Sequence, residues 1–229
     1  MKPPLTQSEA ILNFLGCLKF DLILPARIEI MHPLMNEGSF QTASLFYNKY
    51  YSDTEQRVMI FGINPGRFGG GITGIPFTDP QKLQDICGIA NPYDKRRELS
   101  ADFVYAMIDA FGGPEKFYRK FYITAVCPLG LLRGGRNLNY YDDNKLYGLL
   151  QDFIVESIHR QLSMISSTKI CICLGEGKNL KYLNSINHEF RFFEKIIPLP
   201  HPRWIMQYRR KQLGYFIKLY CDTLNSTRV

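Results

Sequence analysis

The chain has 229 residues, of which 45% are hydrophobic and 21% are charged. This composition provides enough apolar side chain for a folded core and excludes a wholly disordered protein. The formal net charge of +7 favours a polyanionic partner such as nucleic acid, although many basic proteins bind none.

The start of the chain is polar and lacks the pattern of a secretory signal, and no apolar run reaches the length of a transmembrane helix. We therefore expect a cytoplasmic protein of bacterial type, whose six cysteines remain free thiols. No cysteine pair has CxxC spacing, the four histidines lie far apart and no HExxH is present. These observations predict no metal site and no cofactor.

Apolar residues at helical spacing predict seven helices, and short apolar or β-branched runs predict four strands. In chain order these are helix 7–20, helix 41–52, strand 57–62, helix 79–89, helix 100–111, strand 121–127, helix 144–165, strand 168–175, helix 177–186, strand 194–200 and helix 205–223. Ser8 is the expected N-cap of the first helix. Helix 144–165 is the clearest, because its leucines and isoleucines recur three and four residues apart.

The predicted strands are continuous apolar runs, and they alternate with helices. This pattern is typical of a mostly parallel sheet with helices on both faces. We therefore predict a three-layer α/β/α sandwich with a four-stranded central sheet, in a single domain over residues 1–229 with residues 1–40 as an N-terminal helical extension. Ligands of such sheets bind beyond the carboxyl ends of the strands. The segments expected at that edge are 62–78, 127–138, 175–179 and 200–204.

The segment after the first predicted strand, GINPGRFGGGITGIPF at 62–77, is dense in glycine, which indicates a close approach to the backbone. Gly69, Gly71 and Gly74 have the GxGxxG spacing of a dinucleotide-binding loop. Such a loop opens a helix directly and has an acidic residue about twenty positions later. Here prolines follow and no acid lies at that distance, so a nucleotide-cofactor enzyme is only the third alternative.

Asn64 and His201 are the candidate catalytic side chains. Asn64 follows a strand and can both donate and accept hydrogen bonds without charge, which suits the positioning of a water molecule. Asn-Pro-Gly is equally a good turn sequence. His201 lies in PLPHPRW, where three prolines stiffen the loop and would hold an imidazole rigidly. Histidine is also common in ordinary loops.

Cationic and aromatic side chains follow His201 in the segment RWIMQYRRKQ. This mixture suits phosphate contacts and insertion between bases, and it is equally typical of a solvated helix face. The candidate DNA-binding residues are Arg203, Trp204, Arg209, Arg210 and Lys211. The run DKRRE at 94–98 is a weaker basic patch, in which we expect the acids to pair with the bases.

Three segments, in this order, resemble the uracil-DNA glycosylase superfamily, and most closely its single-strand-selective monofunctional (SMUG) branch. The segment 62–77 resembles that branch's first motif, a Gly-Met-Asn-Pro-Gly loop that continues to Thr-Gly-Val-Pro-Phe. CPLGLLRGGRNL at 127–138 is similar to its middle segment, and HPRW at 201–204 falls where the branch has His-Pro-Ser-Pro-Arg. The resemblance implies the glycosylase fold and hydrolysis of uracil from DNA, and nothing in the sequence demands more than a monomer.

The resemblance also implies roles for single residues. Asn64 would orient the attacking water, Phe77 would stack on a flipped base, and His201 would stabilise charge on the base oxygen O2. The helix that begins near Arg203 would wedge into the duplex. The positions expected to contact the base are Gly62, Ile63, Phe77 and Ala125.

The chain departs from the branch at Ala125, where the branch has an Asn that contacts the uracil edge. Either another group or the backbone contacts the base there, or the specificity includes other deaminated bases such as xanthine. The third motif is shortened, so individual wedge residues are not assigned. The site has no candidate lysine nucleophile, which predicts a monofunctional enzyme that leaves an abasic site. The alternative is a catalytically inactive nucleic-acid-binding module of the same fold.

Overall fold

The computed structural model describes residues 5–20, 23–32, 34, 37–165 and 169–227. The strands in these residues are β1 (Ile28–Met31), β2 (Val58–Gly62), β3 (Phe121–Ala125), β4 (Gly130–Arg133), β5 (Arg136–Asn137), β6 (Ile170–Leu174) and β7 (Lys195–Leu199). Four of them form a central sheet in the order β3-β2-β6-β7, and every pairing in it is parallel. The predicted four-stranded parallel sheet is confirmed. Residue 168, where the sequence predicts the start of the third strand, lies outside the described residues.

The inner strands are apolar along their whole length because both of their faces are buried. Every residue of β2 and β3 is buried. Met59 of β2 pairs with Tyr122 on one side and with Cys171 on the other. Cys171 and Cys173 are fully buried in β6, so both thiols belong to the core of the protein.

The α-helices of the described residues flank this sheet. They are α1 (Gln7–Gly16), α2 (Glu37–Tyr50), α3 (Gly70–Thr73), α4 (Pro80–Asp85), α5 (Leu99–Phe111), α6 (Pro114–Tyr118), α7 (Asn144–Ile165), α8 (Lys178–Phe190), α9 (Pro202–Tyr208) and α10 (Leu213–Ser226). The bounds of α7 are those predicted, and Leu146, Leu150 and Ile154 on one face are fully buried. None of these described helices is long and apolar enough to cross a membrane.

The start of α1 differs from the prediction. Its N-cap is Thr6, not Ser8, because the Thr6 hydroxyl accepts from the backbone N–H of Glu9 while the Glu9 carboxylate accepts from the backbone N–H of Thr6. Such a capping box satisfies two N–H groups at once. Ser8 is buried and donates to Asn48 Oδ1 at 2.6 Å.

The last predicted helix, 205–223, is in fact two helices. α9 begins at Pro202 and ends at Tyr208, the 3₁₀ turn Arg210–Gln212 follows, and α10 then begins at Leu213. The chain leaves the helical conformation at Arg209, where φ is −132° and ψ is 20°. This break gives α9 its own direction, and its first residues face the candidate site described below.

A small antiparallel sheet, in the order β1-β4-β5, is absent from the sequence prediction. Gly134 and Gly135 connect β4 to β5, and their φ angles of 55° and 71° suit the two-residue turn of a tight hairpin. Asn137 pairs with Leu132 in this hairpin. The three strands are short and β5 is exposed, so they lack the apolar runs that identify the central strands.

A buried arginine connects the segment before β2 to the rest of the core. Arg57 is 0% exposed and pairs with Asp53 at 2.8 Å. Its guanidinium also donates to the Gln7 side chain and to the backbone carbonyls of Tyr50 and Tyr118. These contacts join α1, α2 and α6 through a single side chain.

Candidate active site

The central cavity lies at the carboxyl ends of β2 and β3 and against the start of α9, and its volume is about 370 Å³. Of the four segments predicted to meet at this edge, 62–78, 127–138 and 200–204 line the cavity, whereas 175–179 does not. The cavity brings together eight residues that the sequence singled out: Gly62, Ile63, Asn64, Phe77, Ala125, His201, Arg203 and Trp204.

Asn64 is anchored by one end of its amide. Nδ2 donates to the backbone carbonyl of Leu138 at 3.1 Å. Oδ1 is buried and has no hydrogen-bond partner among the described residues. A buried acceptor is unfavourable unless water or a ligand satisfies it. Asn64 lines the central cavity, so a residue of the cavity wall carries an acceptor without a partner among the described residues.

Phe77 forms an aromatic wall of the cavity in an unusual backbone conformation. Its φ is 53°, in the left-handed region that non-glycine residues seldom adopt. The ring packs so closely on Gly62 that a β-carbon at position 62 would lie 2.8 Å from it. The ring centroids of Phe77 and His201 are 6.0 Å apart. The glycine at the end of β2 thus makes room for an aromatic ring.

His201 caps α9 with its side chain. Nδ1 accepts from the backbone N–H of Arg203 at 3.1 Å, so the proton of the neutral ring is on Nε2. Burial, followed by the Arg203 charge, lowers the pKa of His201 to about 4. The imidazole is therefore neutral near pH 7 and offers one N–H donor.

The position of Ala125 offers no polar side chain. Ala125 is 4% exposed and pairs with Gly62 in the register of β2 and β3. The hydroxyl of neighbouring Thr124 donates to Gln161 and is thus engaged in the core. Asn137 and Asn139 line the cavity as well, and the sequence reasoning assigned neither, although Asn137 lies in the Gly-Arg-Asn-Leu segment.

Glu98 lines the central cavity, although the sequence predicted it to be part of the basic patch at 94–98. The expectation that the acids of DKRRE pair with its bases is wrong for this residue. Asp94 lies 3.8 Å from Arg96, and Arg97 pairs with Asp102 at 3.1 Å. Glu98 Oε2 is buried without a hydrogen-bond partner among the described residues. Burial, then the neighbouring Asp79 carboxylate, raises the pKa of Glu98 to about 7.

A second depression, the arginine groove, adjoins the central cavity and has a volume of about 490 Å³. Four arginines line it together with the ring of Phe68: Arg67, Arg97, Arg136 and Arg203. Arg67 stacks on Phe68 with its guanidinium carbon 4.4 Å from the ring centroid. Such a row of guanidinium groups suits the phosphates of a nucleic acid. From this groove the sequence predicted Arg203 as a DNA-binding residue and included Arg97 in the weaker basic patch at 94–98, whereas Arg67 and Arg136 were not assigned.

The remaining predicted DNA-binding residues lie on and after α9. Trp204, at the mouth of the central cavity, is 39% exposed, and Tyr208 beside it is 65% exposed. Arg209 lies over the Trp204 ring at 5.0 Å. Arg210 and Lys211 are exposed in the 3₁₀ turn and do not line the cavity.

Comparisons with known proteins agree with this geometry. Residues 49–224, more than half of the chain, match the model of the Uracil DNA glycosylase superfamily. The "Single-strand selective monofunctional uracil DNA glycosylase" of Bos taurus is 29% identical over 110 residues, which are 40% of this chain and 40% of that protein. The Mus musculus protein of the same name is 28% identical over 110 residues, 40% of this chain and 39% of its own. The chain spans about two fifths of the length of these curated relatives.

A solved structure covers nearly the whole chain. The crystal structure of wild-type SMUG2 from Pedobacter heparinus has a TM-score of 0.94 and is 41% identical, and the match covers 97% of this chain and 98% of the other. The similarity therefore includes β1 and α10 as well as the central sheet.

Proposed function

The chain belongs to the uracil DNA glycosylase superfamily, and we propose that it hydrolyses the N-glycosidic bond of uracil in DNA. One observation carries the proposal: a single cavity holds the anchored amide of Asn64, the neutral imidazole of His201 and the ring of Phe77. The names of the relatives support a monofunctional glycosylase. The alternative of an inactive binding module finds no support in them.

A base inside a duplex is out of reach of this cavity, so the target nucleotide must leave the stack. Extrusion costs roughly a few kcal/mol. The exposed aromatic side chains Trp204 and Tyr208 lie at the mouth of the cavity and are suited to fill the gap that the base leaves. The extruded base then stacks on the ring of Phe77, which packs on Gly62 at the end of β2.

Cleavage leaves positive charge on the sugar and negative charge on the base. His201 Nε2–H donates to the base oxygen on which charge develops, and this hydrogen bond strengthens in the transition state. A neutral donor serves here because it does not need to give up its proton. Asn64 Oδ1 holds the water that attacks C1′, and the products are the free base and an abasic site. The described lining of the cavity includes no lysine amine that could attack the sugar instead.

The identity of the base depends on the wall around Ala125. Its methyl group cannot hydrogen-bond the base edge, so the contacts there must come from the backbone at Gly62 and Ile63 or from another polar group of the lining, such as the side chain of Asn137 or Asn139. The absence of a polar side chain at position 125 also admits other deaminated bases, such as xanthine, as further substrates. We propose uracil as the principal substrate because the relatives are named for it.

The test is base release from single-stranded and double-stranded oligonucleotides that contain uracil, measured by alkaline cleavage and gel electrophoresis. The wild type is compared with Asn64→Ala and His201→Ala. Matched controls are Asn184→Ala and His188→Ala, because both residues are exposed on α8 and neither lines the cavity.

We expect release by the wild type and by both control variants, and a loss of roughly a hundredfold or more in each cavity variant. A wild-type protein that binds the oligonucleotide but releases no base contradicts the proposal. Full activity in both cavity variants leaves a glycosylase but contradicts the roles of Asn64 and His201.

A further inference from the structure

Glu98 is the one acid among the described residues that line the central cavity, and the mechanism above does not use it. The same residue lines the arginine groove. Four residues are common to both depressions: Glu98, Ser100, Asn137 and Arg203. Glu98 therefore stands at the junction between the central cavity and the groove.

The junction between the central cavity and the arginine groove corresponds to the deoxyribose of a bound nucleotide. If the base occupies the central cavity and the phosphates lie along the arginines of the groove, the deoxyribose that connects them must pass between the two. A side chain at the junction then faces the sugar, which is where the bond breaks and where water attacks. Glu98 is the ionisable acid at that place.

The residues around Glu98 hold its side chain in place but leave Oε2 without a hydrogen-bond partner among the described residues. Its backbone N–H donates to Asp79 Oδ2 at 2.9 Å. The carboxyl packs on the glycine loop, because a β-carbon at Gly66 would lie 2.6 Å from Oε1 and one at Gly69 would overlap Oε2. Gly66 is two residues after Asn64, so this loop carries both the amide and the surface against which the carboxyl rests. Oε2 nevertheless has no partner among the described residues.

We propose that the Glu98 carboxylate is a further catalytic group, which lies against the deoxyribose and accepts the proton of the water held by Asn64. This inference rests on the proposed glycosylase function. The negative carboxylate also stabilises the positive charge that develops on the sugar.

The step balances as a hydrolysis. The bond between C1′ and the base nitrogen breaks with both electrons leaving on the base, and the water oxygen forms the new bond to C1′. One water proton moves to the Glu98 carboxylate, which later returns it to solvent. The departing base anion takes one proton from solvent, so that the net change is the addition of one water molecule.

Burial, together with the charged groups around Glu98, determines the pH at which its carboxyl group is ionised. Asp79, on the segment before α4, favours the protonated form, whereas Arg203 of α9 favours the carboxylate. The other charged side chains of the junction belong to the groove: Arg67, Arg97 and Arg136. Because the pKa of Glu98 is about 7 and only the ionised form accepts a proton, base release must slow as the pH falls below that value.

The experiment measures single-turnover release of uracil between pH 5.5 and 9 for the wild type, Glu98→Gln and the control Glu115→Gln. Glutamine keeps the size and packing of Glu98 but cannot accept the proton, and Glu115 is exposed on α6. Binding is measured on an oligonucleotide with 2′-fluoro-deoxyuridine, which resists cleavage. Thermal unfolding of each protein reports whether its fold is intact.

We expect Glu98→Gln to release uracil about a hundredfold more slowly at pH 8 and to lose the decline below pH 7, with binding and melting temperature near those of the wild type. A variant as fast as the wild type, or one that keeps the same acid decline, overturns the role of Glu98 while uracil release still supports the glycosylase. If Glu98→Gln does not fold, a wild-type rate that stays constant from pH 9 to pH 5.5 overturns the inference. A wild type without base release overturns the function and this inference together.

Discussion

Replacing His201 by Asn should separate two tasks that one imidazole performs. Nδ1 caps α9 by accepting the backbone N–H of Arg203, and Nε2–H is left as the donor in the central cavity. Asparagine is among the best N-cap residues, and its carbonyl oxygen can take over the cap. Its shorter side chain leaves no donor where Nε2 was. Alanine at the same position removes both the cap and the donor.

The two tasks have different magnitudes. Loss of an N-cap destabilises a protein by about 1 kcal/mol, which lowers the melting temperature of a chain of this size by roughly 2–4 °C. Loss of one donor to a developing anion slows the chemical step by about 10²–10³-fold. His201→Ala should therefore melt lower and be slow, whereas His201→Asn should be slow but melt close to the wild type.

The assay combines thermal unfolding with single-turnover release of uracil, with His188→Ala on α8 as the control for loss of an exposed histidine. Equal melting temperatures of His201→Asn and His201→Ala would refute the role of the cap. Release by His201→Asn at the wild-type rate would refute the role of the Nε2 donor, since the amide cannot replace it.

Four further changes test other parts of the structure. Arg57→Met should lower the free energy of unfolding by about 2–5 kcal/mol in denaturant titrations, because it leaves buried backbone carbonyls without a donor. Gly62→Ala should displace the Phe77 ring and slow base release by tenfold or more, with DNA binding little changed, in single-turnover and binding assays. Arg136→Gln should weaken DNA binding and reduce the salt slope of the affinity by about 0.9 for each lost phosphate contact. The His201 contribution to stability should fall from about pH 6.5 to pH 4, because the unfolded chain protonates His201 in that window while the folded chain does not. Glu98, whose pKa is raised to about 7, acts in the opposite direction, so the measurement is the difference between the wild type and His201→Ala in thermal scans.

The first three of these changes have a matched control, and all four have a result that would contradict them. Arg119→Met, exposed after α6, should leave the unfolding free energy unchanged; a similar loss in both arginine variants would contradict the role of Arg57. Gly148 has open space around it, so Gly148→Ala should release base at the wild-type rate. Equal rates of base release in Gly62→Ala and Gly148→Ala would contradict the packing role of Gly62. Lys181 is exposed on α8, and Lys181→Gln should leave the salt slope of the DNA affinity unchanged. An equal reduction of the slope by Arg136→Gln and Lys181→Gln would contradict phosphate binding in the arginine groove. An identical pH dependence in His201→Ala would refute the titration argument.

The central sheet and the edge that carries the site could be predicted from the sequence, because a strand buried on both faces must be a continuous apolar run. The catalytic candidate Asn64 follows the fully buried β2, and His201 follows the partly buried edge strand β7. The geometry of parallel strands brings both residues to one edge of the sheet. The resemblance to a known family added Phe77 and Ala125, which no local pattern identifies.

Other parts depend on contacts that no local pattern contains. The sheet of β1, β4 and β5 is held by short, partly exposed strands whose pairing is between distant segments. The sequence predicts Arg57 as the first residue of a strand. In the structure its side chain is buried and hydrogen-bonds residues of three helices. Glu98 was missed because a run of mixed charges is usually solvated and self-paired, whereas its partners here are a glycine loop and a cavity.

The left-handed backbone at Phe77 bears on when the aromatic wall of the central cavity takes up its position. A phenylalanine seldom adopts this conformation on its own, so the packing of the loop, and not an arriving base, sets the position of the ring. If the chain has the proposed function, the stacking surface is complete before a nucleotide is extruded. The deformation that accompanies recognition then falls on the nucleic acid and not on this loop.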